Sequence, residues 1–253
     1  YAGKHIHGSE IAAVREAFRG AESRLVVSPH LGHILEEVVG DSVCPWEWVP
    51  NVLDDLFEDG GFSRPNRAER EGTFLFLHVG ALIEVKGQEN LLYAFAEQFR
   101  GETEVQLRIA GDGPLRKKLE GLAKELGIAD QVTFLGELRR EQVLTEMQAC
   151  SAYVHASHYE TFGVTLIEAL SCGKPVISTT CGGPESIVQP TDGILVVPNN
   201  FKALGKAMAM VRENRERYES ASIRKDCITR FGRDALVSHL SDIYQRAMSS
   251  RSK

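Results

Sequence analysis

Two glutamates stand at either end of residues 160–168, which read Glu-Thr-Phe-Gly-Val-Thr-Leu-Ile-Glu. Val164, Leu166 and Ile167 between them, with Ala169 and Leu170 beyond, read as an apolar helix opening at Gly163. Glu168 lies within that helix, and a carboxylate in such company needs solvent or a partner. Glu160 precedes the helix. Eight residues of full helix would separate the two by roughly 12 Å. An extended nucleotide-sugar is about that long. One acid could accept hydrogen bonds from a sugar and the other from a ribose. Between them a helix N-terminus offers backbone N–H groups and a positive dipole end to a pyrophosphate. The same pair also reads as two surface glutamates of an amphipathic helix, because charged side chains are mostly exposed.

Two other loops carry chemistry of the same kind. Residues 80–87 read Gly-Ala-Leu-Ile-Glu-Val-Lys-Gly. Lys86 stands just before a helix start, where an ammonium can meet a phosphate while Gly87 turns the chain. A solvated lysine at a helix end is the plainer reading. Residues 111–114 read Gly-Asp-Gly-Pro. The glycines permit close backbone approach and Pro114 suits a first helical position, but a simple strand-to-helix turn explains them equally well.

The elements that must position these residues alternate regularly. Strands are expected at 74–79, 105–110, 132–135, 152–155, 175–178 and 194–197. Helices are expected at 90–99, 115–126, 141–149, 163–171, 201–212 and 233–248. The run at 74–79 is continuously apolar, as suits a parallel strand buried on both faces. Strands separated by helices of this length imply right-handed crossovers, an α/β fold and a doubly wound parallel sheet. Such sheets bind ligands at the carboxyl ends of their strands, which directs attention to the loops after Val79, Ala110, Leu135, His155 and Ser178. Before residue 60 the pattern is mixed, with helices expected at 9–18 and 31–39, a short strand at 24–27 and a linker at 59–66.

Composition narrows the function classes. The chain has 253 residues, 43% hydrophobic and 25% charged, with a net charge of −6. No broad basic face is implied, so nucleic acid is not an expected partner. Five cysteines, an odd number with no C-x-x-C pair, point to reduced thiols in a cytoplasmic protein rather than to disulfides or zinc. No apolar run approaches the roughly 20 residues that span a bilayer, and no signal peptide is visible. The chain opens at Tyr1 without a methionine and reads as part of a longer protein.

The stretch from His155 through Glu160-Thr161-Phe162-Gly163 to Glu168 and on to Ile177 resembles the E-x7-E signature of the group 1 retaining glycosyltransferases. Residues 80–87, 111–114, 134–136, 182–187 and 192–196 match the same family in order. The resemblance implies a GT-B fold, in which two Rossmann-like domains face each other across a cleft. Residues 1–60 would then be a remnant of the N-terminal acceptor domain with the interdomain crossover, and residues 61–253 the donor-binding domain. It implies that Lys86 contacts the donor phosphates, Glu168 holds the ribose hydroxyls and Glu160 lies close to the transferred sugar. Lys86 and Glu160 are thereby the candidate catalytic residues. Gly80 and Gly136 would border the ligand, with the loop around Leu135, Gly136 and Glu137 meeting the base. Backbone at Phe162, Gly163 and Val164 would cradle the distal phosphate, and Gly182 and Gly183 would shape the wall near the sugar. The family's Gly-Arg-Leu is here Gly80-Ala81-Leu82, which removes a cation of the strong bidentate type.

The resemblance therefore implies transfer of a sugar from a UDP-, GDP- or ADP-sugar, with retention, to a saccharide or lipid-linked acceptor. No metal or other cofactor is expected. The missing N-terminal domain or a partner chain would be needed for activity, and the protein would be cytoplasmic, with peripheral attachment to the inner face of a membrane. Two other readings stay open: a nucleotide-sugar-binding module without independent catalysis, and a sugar-nucleotide epimerase. A dinucleotide oxidoreductase is disfavoured because no G-x-G-x-x-G follows the first strand.

Overall fold

A computed structural model describes residues 8–21, 23–39, 45–60 and 72–250. In chain order the first elements are α1 (Gly8–Gly20), β1 (Leu25–Val26), α2 (Pro29–Val39), β2 (Glu47–Trp48) and α3 (Asp55–Gly60). The alternating region follows with β3 (Phe74–Val79), α4 (Gln88–Phe99), β4 (Val105–Ala110), α5 (Arg116–Glu125), β5 (Val132–Gly136) and α6 (Arg140–Ala149). Then come β6 (Ala152–His155), α7 (Val164–Ser171), β7 (Val176–Thr179) and β8 (Gly193–Val196). Helices α8 (Phe201–Glu213), α9 (Ser220–Phe231) and α10 (Arg233–Ser250) close the chain.

Strands β3 to β8 form one parallel sheet in the order β5-β4-β3-β6-β7-β8. The chain winds outward from β3 to β5, then returns to place β6 on the opposite side of β3. This is the doubly wound Rossmann-like order, and its reversal between β3 and β6 opens a crevice at the carboxyl edge. The residues explain the arrangement. Leu75, Phe76 and Leu77 of β3 are buried, and so is every residue of β6 and β7. That is what helices on both faces require. Phe76 packs against Phe99 at 5.4 Å between ring centroids, and Phe95 against Phe99 at 5.5 Å, fastening α4 to the sheet. Helix α8 lies beside α4, and α9 beside α7. Gly127 and Gly173 take φ of +68° and +70° just past α5 and α7, the left-handed turn that glycine allows at a helix end.

Three features depart from the pattern read in the sequence. Helix α9 was not expected: only Ile223, Cys227 and Phe231 are buried along it, a narrow stripe among charged residues. Asp59 and Gly60, expected in a linker, end α3; residues 61–66 of that linker lie outside the described residues, as do Cys44, His5 and His7. The first segment also pairs β1 with β2 in a small parallel sheet. Helix α10 reaches back to it through Arg246 and Glu47, while Val237 and Tyr244 stay exposed. Among the described residues no helix is long and apolar enough to cross a membrane.

Asp192, before β8, joins the sheet to α9. Its carboxylate accepts from the Gln189 N–H at 2.8 Å and pairs with Arg230 at 3.0 Å. Burial pushes its pKa up to about 6, against the opposing pull of that N–H and of Arg230. A carboxyl with a raised folded pKa binds more protons folded than unfolded. Its stabilising share is therefore full below the unfolded value near 4 and is lost as pH rises through about 6. Denaturant unfolding of the wild type and Asp192→Asn across pH 4 to 7 should show the wild type losing stability relative to the variant as pH rises.

Candidate functional site

The loop after β3 and the loop after β6 leave the sheet at its reversal and press together. Gly87 has φ of +67°, and a β-carbon there would lie 2.1 Å from the Ala156 carbonyl oxygen. The His158 N–H donates to the Val85 carbonyl at 2.8 Å. This close approach brings the Lys86 ammonium to the Glu160 carboxylate at 2.8 Å. Both side chains keep partial exposure, 26% and 17%, so a ligand can still compete for them.

Glu160 is held by its own backbone. Its N–H donates to the Cys181 carbonyl at 2.9 Å, and its carbonyl accepts from the Gly183 N–H at 2.8 Å. This short parallel bridge to Gly182 fixes the residue between two loops. The Thr161 N–H donates to Glu160 Oε1 at 3.0 Å. Gly163, with φ of +108°, then starts α7, and no side chain caps the helix. Phe162 is turned inward, 6.0 Å from Phe231 between ring centroids, so only its backbone faces the helix start. Tyr153 OH lies 2.8 Å from Thr165 Oγ1 and 3.3 Å from the Val79 carbonyl. It ties the first turn of α7 to the end of β3.

Glu168 lies apart from this pair. It has no exposed surface, and Arg140 Nη1 donates to its Oε1 at 2.7 Å. Arg140 also pairs with Asp54 at 3.4 Å and stacks 4.9 Å over the Phe57 ring. Burial raises the Glu168 pKa, while the Arg140 hydrogen bond and charge oppose the rise. Glu168 Oε2 has no partner. The carboxylate that needed solvent or a partner has an arginine, and one oxygen remains to accept a hydrogen bond. Arg140 escaped the sequence reading, although it follows directly on one of the loops at the sheet's carboxyl edge.

The glycines divide between ligand space and packing. A β-carbon on Gly183 would lie 2.2 Å from the Phe162 carbonyl oxygen, and one on Gly182 would lie 2.4 Å from the His30 ring. Both are buried and hold loops together. Gly111 serves the same end: a β-carbon there would lie 2.0 Å from the Gly80 carbonyl oxygen. Gly136, with φ of +74°, accepts from the Gly111 N–H at 2.7 Å and stands beside Arg116. Ala81 is exposed, as is Val164 in the first turn of α7. A separate cleft of about 830 Å³, lined in part by Val85, Gly87, Gln88, His158 and Tyr159, runs over the start of α4. Among the described residues no group of three or more His, Cys, Asp or Glu could hold a metal.

A parallel sheet reversing at β3 and β6, with a lysine and a glutamate joined across the reversal, defines a Rossmann-like domain with a crevice at its carboxyl edge. The family of group 1 glycosyl transferases matches residues 61–225, and the chain belongs to it. An uncharacterized glycosyltransferase of Methanocaldococcus jannaschii is 28% identical over 216 residues, covering 84% of this chain and 54% of that protein. The glycogen synthase of Mycobacterium tuberculosis is 26% identical over 212 residues, covering 83% and 49%. The chain thus spans about half the length of the curated relatives it matches. Anabaena HepE, solved with UDP and glucose, superposes with a TM-score of 0.81 at 22% identity, over 96% of this chain and 68% of that one. The lipopolysaccharide outer core galactosyltransferase WaaB gives 0.74 at 26% identity, over 91% and 62%. These likenesses make the fold that of a GT-B Rossmann-like domain.

The Arg140–Glu168 contact yields a stability test. Arg140→Met strands a buried carboxylate and should cost about 1–3 kcal/mol. Adding Glu168→Leu should recover most of the loss, because an apolar pair replaces a half-broken ionic one. Denaturant midpoints of the single and double variants check both.

Proposed function

We propose that this chain is the donor-binding part of a retaining glycosyltransferase and takes a nucleoside diphosphate sugar into the crevice between β3 and β6. The observation that carries the reading is the Lys86–Glu160 pair beside the uncapped start of α7. A diphosphate there meets an ammonium and helix N–H groups, the donors that stabilise charge developing on a leaving diphosphate. Glu160, freed toward the cleft, accepts hydroxyls of the sugar. Glu168 offers Oε2 to the ribose, which requires Arg140 to shift, since Glu168 has no exposed surface. Gly136 and its neighbours border the base, and backbone at residues 162–164 faces the distal phosphate.

The donor is a UDP-, GDP- or ADP-sugar, and HepE, solved with UDP and glucose, supports the first of these. The acceptor is a saccharide or a lipid-linked one, bound with the help of a further domain or partner at the inner face of a membrane. No protein nucleophile and no metal is invoked. One observation favours a second reading, a binding module without catalysis: Ala81 stands where the family places a second cation. Turnover of a radiolabelled nucleotide-sugar separates the two.

A thermal-shift panel of UDP, GDP, ADP and their sugars tests donor binding, since a ligand of the native state raises the melting temperature. One base should stand out. Lys86→Ala should weaken that ligand roughly 10- to 100-fold, the worth of a charge-assisted hydrogen bond, and Glu168→Ala should abolish the shift. A shift that survives Glu168→Ala unchanged removes the ribose assignment.

A further inference from the structure

Under the Lys86–Glu160 pair lies an imidazole that has no hydrogen bond. His155 ends β6 and is 2% exposed, and neither of its ring nitrogens has a partner. Its Nε2 stands 3.7 Å from Glu160 Oε2, just beyond hydrogen-bond reach. The same oxygen is held by Lys86 Nζ at 2.8 Å. His78, on the adjacent strand, shows the contrast. Its Nδ1 bonds the Val154 carbonyl at 2.9 Å, and its Nε2 faces Gln88 Nε2 at 3.2 Å. A satisfied histidine needs no further explanation, but an orphaned buried one does, because it forfeits its hydration for nothing.

On the donor-binding reading above, we propose that His155 is a positioning residue that takes hold of Glu160 when a diphosphate draws Lys86 away. Among the described residues the Lys86 ammonium pairs with Glu160. A diphosphate at the start of α7 carries more charge and competes for it. Glu160 cannot follow the lysine. Its backbone is pinned to Cys181 and Gly183, and its Oε1 is held by the Thr161 N–H. Oε2 then needs a new donor, and His155 Nε2 already faces it. A closure of roughly 1 Å brings the two to hydrogen-bond length. Burial holds the ring neutral, its pKa lowered to about 3, with His78 and Lys86 adding to the effect. A neutral imidazole has one N–H, and placing it on Nε2 directs it at Glu160. Lys86 can then serve the phosphates while Glu160 keeps its orientation toward the sugar hydroxyls.

The test measures, by calorimetry, the affinities of UDP, GDP and ADP, each against its glucose ester, for the wild type, His155→Leu and His155→Gln. Affinity for the free diphosphate should fall less than that for its glucose ester in His155→Leu, since water can reach the partly exposed Glu160. The ratio of sugar-nucleotide to diphosphate affinity should fall about tenfold in His155→Leu. It should recover in His155→Gln, whose amide can donate to Glu160. His155→Leu should also melt at or above the wild-type temperature, because it deletes an unsatisfied buried group. A purely structural histidine predicts the reverse: a lower melting temperature and an unchanged ratio, and that result overturns the proposal. A wild type that binds none of these nucleotides removes the donor reading and this inference with it. Binding with an unchanged ratio removes this inference alone.

Discussion

The crevice exists because the sheet reverses its winding between β3 and β6. Loops leaving neighbouring parallel strands normally turn the same way, to helices on one face. Here they diverge, and the edge between them is left open. The two loops nevertheless touch, because Gly87 has no β-carbon to strike the Ala156 carbonyl. That single close approach decides where Lys86 and Glu160 meet. Tyr153 reinforces it by linking the end of β3 to the first turn of α7.

Each of the two carboxylates in the site is held by a cation from a different segment, the loop after β3 and the start of α6. Lys86 holds Glu160, and Arg140 holds Glu168. The two pairs differ in how they meet water. Lys86 and Glu160 are both partly exposed and can exchange partners. Glu168 is buried, which raises its pKa, and the Arg140 hydrogen bond and charge oppose that rise. Both cations can move, since Lys86 and Arg140 each keep some exposure, and Arg140 also ties α6 to α7 and to the segment around Asp54. With Ala81 in place of the family's arginine, Lys86 is the cation that the loop after β3 supplies to the crevice.

Much of this was legible in the residues. The continuous apolar run of β3 and the helix-length spacings between strands announced a parallel sheet. The Lys-Gly pair and Glu160 lay in the two loops that the fold brings together at the sheet's carboxyl edge. What escaped had a weak or ambiguous local signal. Helix α9 shows only three buried side chains along its length, so its periodicity is lost among arginines and a lysine. Arg140, next to Arg139, has nothing in its local sequence to set it apart from a surface charge. The close packing of Gly182 against His30 and of Gly183 against the Phe162 backbone likewise has no local signal beyond the glycines themselves.

The sequence by itself determined the alternation of strands and helices, the edge of the sheet where chemistry could occur, and the residue types available there. Hydrophobic period and turn residues act over a few neighbours, so they can be read locally. Only the tertiary structure decided which charges meet. Lys86 and Glu160 are 74 positions apart and Arg140 and Glu168 are 28 apart, and pairing over such distances depends on strand order and on how closely loops can pack. The isolation of His155 is likewise a property of the folded neighbourhood, since whether a buried nitrogen finds a partner is settled by groups that the chain brings from elsewhere.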